Sequence, residues 1–207
     1  MKKISGSTIR RLSKYYRSLE FLVKKDIETV SSDQLAEMDS ITSAQVRKDL
    51  SFFGTFGKRG LGYNCNILKN QIGDILGLNR IWNVVIVGAG NIGRALAAYA
   101  EFKKQGFKIS LILDSDPQKI GSKIHGITVH DFKKVNTLVR EKKIDIAIIA
   151  VPVSVAQQVA DNLVDSGIKA ILNFAPISLK VSNNVQVKNE NMAIEIESLS
   201  YYLSAKK

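Results

Sequence analysis

Apolar and polar positions divide the chain into helices over its first 80 residues and alternating strands and helices after them. Between residues 7 and 25, apolar side chains recur at steps of three and four residues, which predicts an amphipathic helix. The inward positions of that helix are Ile9, Leu12, Tyr16, Leu19 and Val23. Basic residues occupy its other faces, as expected for a solvated surface.

Two short helices follow, and both begin with the pattern of a capping box. Ser31 and Gln34 have this spacing at the start of the first helix, and Thr42 and Gln45 have it at the start of the second. The segment 39–41 between them is a predicted turn, although it lacks the glycine that is often found there.

The second of these helices carries candidate nucleic-acid contacts. Val46, Leu50 and Phe53 lie at i, i+4 and i+7 and face inward, which leaves polar and basic side chains on the outer, N-terminal part. Those outer residues are Ser43, Ala44, Gln45, Arg47 and Lys48. Two short helices joined by a tight turn are typical of a helix-turn-helix whose second helix enters the major groove. A small helical domain with a solvated basic face is the alternative.

Glycines and aromatic residues surround a basic pair between residues 53 and 63. This composition predicts a β-hairpin, the wing of a winged helix. Its tip, Lys58, Arg59 and Gly60, is expected to follow the phosphates or to lie in the minor groove. A phosphate-binding loop is the rival interpretation, but the sequence lacks the P-loop pattern. A predicted helix over residues 67–76 closes this domain.

The most specific pattern begins with the apolar run Val84–Val87, which predicts a strand buried on both faces. The residues Gly-Ala-Gly-Asn-Ile-Gly at 88–93 follow, and then a helix. Gly88 permits the tight exit from the strand, Gly90 lets the backbone approach a pyrophosphate, and Gly93 lets helix and strand pack closely. The N-terminus of the helix offers N–H groups and a partial positive charge to phosphates.

A second strand, residues 108–113, ends in Asp114, which lies 21 positions after Gly93 (114 − 93). This is close to the spacing at which a carboxylate binds the ribose hydroxyls of NAD. The same carboxylate would repel the 2′-phosphate of NADP. The sequence therefore predicts a site for NADH and NAD⁺, and an empty Rossmann-like domain is the alternative.

Strand and helix patterns continue to alternate beyond this point. Buried strands are predicted at 145–151, where Pro152 ends the run, and at 169–174, with a helix at 156–164 between them. Such alternation indicates an α/β fold with a doubly wound parallel sheet, which binds ligands at the carboxyl ends of its strands. We therefore count Pro152 among the expected cofactor contacts. A last amphipathic helix has no strand to pair with, so we expect it to pack on another subunit.

The net charge of +11 points to a polyanionic partner. Residues 1–80 contain 14 Lys and Arg against 8 Asp and Glu, a net +6, and the longer remainder has a net +5. The helical part is therefore the more basic per residue, and it lies outside the nucleotide fold. We expect two functions in one chain.

Several other classes of protein are disfavoured. No apolar run approaches the ~20 residues that cross a bilayer, and the N-terminal residues lack the apolar segment of a signal peptide. Cys65 is the only cysteine, which excludes an internal disulfide and fits a reducing cytoplasm. Neither His125 nor His130 has the spacing of metal ligands, so no metal is expected.

An NAD-dependent dehydrogenase is the main competing class. It would need a general acid or base, typically His or Lys, at the nicotinamide. Neither histidine follows a strand at the expected crevice, and no stretch remains for a substrate domain. We therefore expect a regulator that is not an enzyme. A winged-helix protein with a vestigial nucleotide fold is disfavoured because Asp114 and the three glycines are all present.

Several stretches together resemble the Rex family of redox-sensing transcriptional repressors. They are Ser43–Gly54, the Lys-Arg-Gly-Leu-Gly-Tyr segment at 58–63, the motif at 88–93, Asn-Phe-Ala-Pro at 173–176 and Leu-Ser-Tyr-Tyr-Leu at 199–203. The resemblance implies a homodimer that binds an inverted-repeat operator in double-stranded DNA and that NADH releases. It also implies three parts: a winged-helix domain (1–78), a Rossmann NAD(H)-binding domain (79–190) and a C-terminal helix (191–207) exchanged between subunits.

The resemblance also assigns residue roles. Asp114 would bind the adenosine ribose, and Met192 stands where a larger apolar or aromatic side chain often contacts the nicotinamide. The pyrophosphate would be held by Gly88, Ala89, Gly90, Asn91, Ile92 and Gly93. The operator would be read by residues such as Gln45, Arg47 and Lys48, with Lys58 and Arg59 on the wing.

Three further residues match a family trio that links the DNA-binding domain, the nucleotide helix and the partner's terminal helix. They are Arg17, Tyr99 and Asn191. The family usually has an aspartate at the third position. The departure at Asn191 bears on the strength of switching, and not on the fold.

Overall fold

The computed structural model describes residues 4–57 and 61–204, which form two compact units divided after Arg80. In the described part of the first unit, four helices pack around a core of leucine, isoleucine and valine, and two short strands pair antiparallel. The helices are α1 (Gly6–Lys24), α2 (Ser32–Asp39), α3 (Ser43–Ser51) and α4 (Cys65–Leu76), and the strands are β1 (Thr29–Val30) and β2 (Tyr63–Asn64).

The buried face of α1 differs from the predicted one. Leu12 and Leu19 are fully buried as expected, whereas Ile9 is 46% exposed and Tyr15, rather than Tyr16, is fully buried. Tyr15 is accommodated inside because its hydroxyl donates a hydrogen bond to Asp49 on α3, 2.9 Å away. The spacing of apolar residues gave no sign of this polar partner, so the predicted set of inward positions was partly wrong.

One of the two predicted capping boxes is complete. Ser31 Oγ accepts a hydrogen bond from the N–H of Gln34, and Gln34 Oε1 accepts one from the N–H of Ser31. At the start of α3, Thr42 Oγ1 accepts from the N–H of Gln45, but the Gln45 side-chain amide donates to Asp49 instead of returning to the cap. A competing acceptor one turn along the helix has taken the side chain that the spacing assigned to the cap.

The glycine-rich stretch after α3 brings the two ends of a loop together. A Cβ at Gly57 would lie 2.4 Å from the carbonyl oxygen of Gly62, and Gly57 has a φ of +71°. The strand at the far end of the loop, β2, pairs with β1. Residues 54–57 form no strand, and the predicted wing tip, Lys58 to Gly60, lies outside the described residues.

The second unit is a seven-stranded sheet with helices on both faces, as the alternation predicts. Its strands are β3 (Trp82–Val87), β4 (Phe107–Asp114), β5 (Lys123–Ile124), β6 (Ile127–Asp131), β7 (Ile146–Ile149), β8 (Ala170–Asn173) and β9 (Gln186–Asn189). Its helices are α5 (Asn91–Ala98), α6 (Ala100–Lys104), α7 (Val135–Glu141), α8 (Val153–Asp165) and α9 (Met192–Ser204), with a 3₁₀ turn at Phe132–Lys134.

The strand order is β5-β6-β4-β3-β7-β8-β9. The described pairs are parallel except for β5 with β6, and without β5 the order is that of a doubly wound Rossmann sheet. The central strand β3 is buried on both faces. Val85 and Val87 pack on the side of α7 and α8, while Val84 and Ile86 pack on the side of α5 and α6.

Helix α9 makes no comparable contribution to a core. None of its described side chains is buried. The exposed apolar residues are Met192, Ile194, Ile196, Leu199, Tyr201, Tyr202 and Leu203. Among all the described helices, none has the length and apolar character that a membrane span requires.

Candidate functional site

The turn between β3 and α5 uses its glycines in different ways. Gly88 has a φ of +104°, and a Cβ there would lie 2.2 Å from the carbonyl oxygen of Ala150 on the neighbouring strand connection. A Cβ at Gly93 would lie 1.8 Å from the carbonyl oxygen of Gly88. The fold itself therefore requires glycine at both positions. Gly90 is different, because its φ of −81° suits any residue and a Cβ would meet nothing within 4 Å.

The open space at Gly90 lies at the N-terminus of α5. Gly90 is the N-cap of this helix, and no described side chain caps it. Asn91 and Ile92 are exposed in its first turn. The first N–H groups of a helix lack partners within the helix, and they favour anionic ligands. A glycine that the fold does not need, at such a helix end, fits the close approach of a pyrophosphate.

Asp114 ends β4 beside this turn. Its Oδ2 accepts a hydrogen bond from the N–H of Ala89 at 2.7 Å, its Oδ1 accepts one from the N–H of Asp116 at 2.8 Å, and Lys119 Nζ lies 3.4 Å from Oδ2. Burial opposes ionisation of this carboxyl, but the two backbone donors and the Lys119 ammonium outweigh it and hold the pKa of Asp114 below its ordinary value. The side chain is an anchored carboxylate with lone pairs left to accept ribose hydroxyls.

A cleft of about 650 Å³ opens at the carboxyl ends of β3, β4 and β7. It is lined by Gly88, Gly90, Asp114, Lys119 and Pro152 together with residues of α7 and α8. The structure thus brings four of the expected cofactor contacts, Gly88, Gly90, Asp114 and Pro152, into one cleft at the edge where doubly wound sheets bind ligands. Ala89 is buried behind the turn, and Met192 is exposed at the start of α9, not in this cleft.

Lys119 is a cleft residue that the sequence patterns did not predict. It lies in the connection after β4, within 3.4 Å of both Asp114 and Asp116. Its position shortly after the carboxyl end of a parallel strand was the available signal, since that edge forms the ligand site.

The outer face of α3 holds the candidate nucleic-acid contacts. Ala44, Arg47 and Lys48 are exposed, and Ser43 and Gln45 are half-buried. The Arg47 guanidinium donates a hydrogen bond to Ser32 Oγ on α2 at 2.8 Å, which ties the two helices together at this surface. The outer face is therefore basic and accessible, as a recognition helix requires, and its basic residues lie in the middle and the last turn of α3.

Behind that face, a fully buried carboxylate on α3 connects the helix to α1. Asp49 Oδ2 is 2.5 Å from Arg11 Nε, and Asp49 Oδ1 is 2.7 Å from an Arg11 terminal nitrogen. Tyr15 Oη and the amide nitrogen of Gln45 also donate to this carboxylate, at 2.9 and 2.8 Å. Burial opposes ionisation of Asp49, but the Arg11, Tyr15 and Gln45 donors outweigh it and lower its pKa.

Asp49, which is buried, is a second site residue that the sequence patterns did not predict. The residue stands three positions after Val46 and directly before Leu50, on the inward side of a helix. An acidic side chain at such a position was a usable signal, because a buried charge requires a partner.

Comparison with known proteins identifies the family. Residues 79–177 match a family model described as a CoA binding domain, and residues 3–51 match one described as a putative DNA-binding protein N-terminus. A redox-sensing transcriptional repressor Rex from Carboxydothermus hydrogenoformans is 49% identical over 199 residues, which cover 96% of each chain. One from Roseiflexus sp. is 47% identical over 196 residues, which cover 95% of this chain and 89% of its own. The chain belongs to the Rex family.

Solved Rex structures agree with this assignment over the full length. The crystal structure of RSP, a Rex-family repressor, has a TM-score of 0.91 at 41% identity and covers 100% of this chain and 96% of RSP. RSP in complex with β-NAD⁺ and operator DNA gives 0.94 at 42% identity, covering 100% and 95%, and RSP in complex with β-NADH gives 0.89 at 41%, covering 100% and 97%. The predicted family and α/β fold are confirmed. The expectation of a regulator, and not an enzyme, is also confirmed, because the relatives are repressors.

The three residues that match the Rex trio are divided between the two units. Arg17 is exposed on α1 of the first unit. Tyr99 separates α5 from α6 in the second unit, and its ring meets that of Phe102 edge to face with centroids 5.1 Å apart. Asn191 precedes α9, where its Oδ1 accepts a hydrogen bond from the N–H of Ala193 at 3.0 Å. In this Rex chain Asn191 therefore caps the start of α9.

Proposed function

We propose that this Rex protein represses transcription by binding an inverted-repeat operator through its first unit, and that NADH bound in the second unit releases the DNA. The observation that carries the proposal is that one chain holds both an accessible basic helix, α3, and a dinucleotide cleft whose Gly90 the fold does not itself require. The similarity to RSP over the whole length supports the proposal, since RSP is described in complex with β-NAD⁺ and operator DNA and also with β-NADH.

In the nucleotide cleft, each proposed contact has a distinct physical task. The first turn of α5 offers N–H groups and a partial positive charge to the pyrophosphate. The Asp114 carboxylate, fixed by the N–H groups of Ala89 and Asp116, accepts hydrogen bonds from the adenosine ribose. Pro152 lines the same cleft and directly precedes α8 as its N-cap. The nicotinamide ring would carry the redox state, and Met192 is its proposed apolar neighbour.

At the operator, side chains of α3 read bases while the wing tip follows the backbone. Gln45, Arg47 and Lys48 are the proposed major-groove residues, with Ser43 and Ala44 at the helix start, and Lys58, Arg59 and Gly60 form the proposed wing tip. An inverted-repeat operator has two-fold symmetry, so the protein bound to it is expected to be a two-fold dimer.

The exposed helix α9 supports a homodimer. In the part of the chain that the structure describes, seven large apolar side chains of this helix are each more than half exposed, and exposed apolar surface of this kind marks an interaction site. We propose that α9 is exchanged between subunits. The proposed domains are the winged helix (1–78), the Rossmann domain (79–190) and the exchanged helix (191–207). We also propose that the protein acts in the cytoplasm, where both the chromosome and the nicotinamide pool are present.

A DNA-release titration tests the proposed function. The protein first selects duplexes from a random library, and its affinity for the recovered site is then measured by fluorescence anisotropy with NADH or NAD⁺ added. NADH is expected to release the duplex at concentrations at which NAD⁺ does not. Selection of no duplex, or equal effects of the two nucleotides, would contradict the proposal.

A pair of double variants controls for net charge. Arg47→Ala with Lys48→Ala removes two exposed charges from α3, and Lys24→Ala with Lys25→Ala removes two charges from the end of α1 in the same unit. The α3 variant is expected to lose the site, and the α1 variant is expected to keep it. Equal losses would mean that net charge, and not the α3 face, sets the affinity.

A further inference from the structure

Asp49 joins α3 to α1, and it also fixes the orientation of the Gln45 side chain. Gln45 stands one turn before Asp49 on α3, and its amide nitrogen lies 2.8 Å from Asp49 Oδ1. A carboxylate only accepts hydrogen bonds, so the amide must turn its nitrogen towards Asp49 and its oxygen away from it. The usual freedom of a glutamine to reverse its amide is therefore removed at this position.

The carboxylate that imposes this orientation is itself held in place. Arg11 donates to both of its oxygens, and Tyr15 donates to Oδ2, while the whole side chain is fully buried. Reversing the Gln45 amide would put its oxygen against Asp49 Oδ1, two acceptors in contact beneath a protein surface. Gln45 is only half-buried, so part of this residue remains accessible on the outer face of α3.

The edges of the four bases respond differently to such a fixed amide. Adenine offers an amino donor beside an acceptor, and cytosine offers an amino donor, in the major groove. Guanine offers two acceptors at the same edge, and thymine offers one acceptor and a methyl group. An outward oxygen thus suits adenine or cytosine, which present an amino group in the major groove, and it meets the two acceptors of guanine unfavourably.

We propose that Asp49 is a positioning residue for operator recognition, which holds the Gln45 amide so that its oxygen accepts a hydrogen bond from the major-groove amino group of adenine or cytosine and disfavours guanine. The inference rests on the proposed function, since it requires that α3 enter the major groove. It assigns a recognition role to a residue that itself touches no DNA.

The test compares base preference at single positions. Wild type and Gln45→Met are titrated against duplexes that carry each of the four base pairs, changed symmetrically in both half-sites, at every position of the selected site. The position at which Gln45→Met loses its preference is the one that Gln45 reads. There, wild type is expected to bind adenine or cytosine about tenfold more tightly than guanine, within the usual range for one base contact.

Asp49→Asn is then expected to reduce that preference to about twofold or less at this position only, because the substituted amide can donate as well as accept. Tyr15→Phe is the matched control. It removes a different hydrogen bond to the same carboxylate, and it should lower stability without altering the preference. A purely structural role of Asp49 predicts the opposite result, an equal loss of affinity for every duplex from both variants.

Wild-type protein supplies the test if Asp49→Asn does not fold. The base at the Gln45 position is replaced by purine for adenine, or by 2-pyrimidinone for cytosine, each of which lacks only the amino group. A loss of about tenfold is expected. Unchanged binding, or a preference for guanine at that position, would overturn the inference while leaving the proposed function intact. A protein that selects no duplex at all would overturn the proposed function first.

Discussion

The glycines at 88, 90 and 93 meet different surroundings, and the difference separates folding from binding. Gly93 packs against the carbonyl oxygen of Gly88, where a Cβ would stand 1.8 Å away, while Gly90 faces open space. The sequence motif alone treats the three as one fingerprint. Only the positions of neighbouring backbone atoms show which glycine serves the fold and which is left for a ligand.

Gly90→Ala and Gly93→Ala are therefore expected to fail in different ways. Alanine at 93 overpacks the turn and should destabilise the second unit by about 1–3 kcal/mol, seen as a lower Tm. Alanine at 90 should leave the stability within about 0.5 kcal/mol of wild type and weaken NADH binding, measured by calorimetry. A Gly90→Ala protein with unchanged NADH affinity would remove Gly90 from the pyrophosphate site.

Asp114 should set the preference for NADH over NADPH. Its carboxylate repels a 2′-phosphate, and removing it also leaves the Lys119 ammonium beside the ribose without that partner. Asp114→Ala is expected to narrow the preference in calorimetric titrations of both cofactors, and adding Lys119→Ala should widen the gap again. Equal affinity of the wild type for NADH and NADPH would contradict this role.

Asp49 should make the stability of the first unit depend on pH. Its folded pKa lies below the ordinary value of 3.8, so the stabilisation is complete above that value and is lost as the pH falls through the lowered pKa. Asp49→Asn leaves the Arg11 charge without its partner and should cost about 3 kcal/mol at pH 7, with a smaller difference from wild type at pH 3. Urea unfolding followed by circular dichroism at the two pH values measures this difference.

The control for this pH dependence is Glu37→Gln, an exposed carboxylate on α2. The free energy of unfolding of this variant should equal that of the wild type at both pH values. If Asp49→Asn lost as much unfolding free energy at pH 3 as at pH 7, the negative charge of Asp49 would not contribute to stability.

Helices and strands were predictable where a local pattern determines them. The capping box at Ser31 and the continuous apolar run of β3 specify their elements without help from distant residues. The inward face of α1 was not predictable in this way. The burial of Tyr15 depends on a hydrogen bond to Asp49, which lies 34 positions further along the chain. A one-dimensional pattern of apolar residues carries no information about such a polar partner.

The helix α3 and the wing tip should contribute differently to operator affinity. A phosphate contact is insensitive to sequence, so Lys58→Ala is expected to weaken specific and random duplexes alike and to lower the salt slope of log K by about one. Loss of a base contact on α3 should cost ~1–3 kcal/mol on the operator alone. Titrations at several salt concentrations separate the two, and an unchanged slope for Lys58→Ala would exclude a phosphate contact.

The molecule as a whole places its two activities in separate units, so repression can respond to NADH only if the units are coupled. The sequence suggested the two units through their charge and their patterns, and the resemblance suggested the trio Arg17, Tyr99 and Asn191. A single chain does not provide the remaining part, because α9 exposes the apolar face that a partner subunit is proposed to cover.

Asn191 should tune this coupling. In the proposed dimer it faces Arg17 of the other subunit, where a charge-assisted hydrogen bond is worth ~1.5–3 kcal/mol against ~0.5–1.5 for a neutral acceptor. Asn191→Asp is therefore expected to strengthen the link by about 1 kcal/mol, roughly a fivefold shift in a two-state equilibrium. The midpoint of NADH-driven operator release should move, while NADH affinity without DNA stays the same.

The cap role of Asn191 does not confuse this test. Its Oδ1 accepts the N–H of Ala193, and an aspartate keeps that acceptor, so the start of α9 is preserved. Asn183→Asp adds the same charge at an exposed position of the same unit and should leave the midpoint in place. Measured at fixed salt, a shift in Asn191→Asp alone assigns the effect to the trio. An unchanged midpoint, together with normal NADH-driven release by Arg17→Ala, would show that Asn191 only caps α9 and that the units are coupled elsewhere.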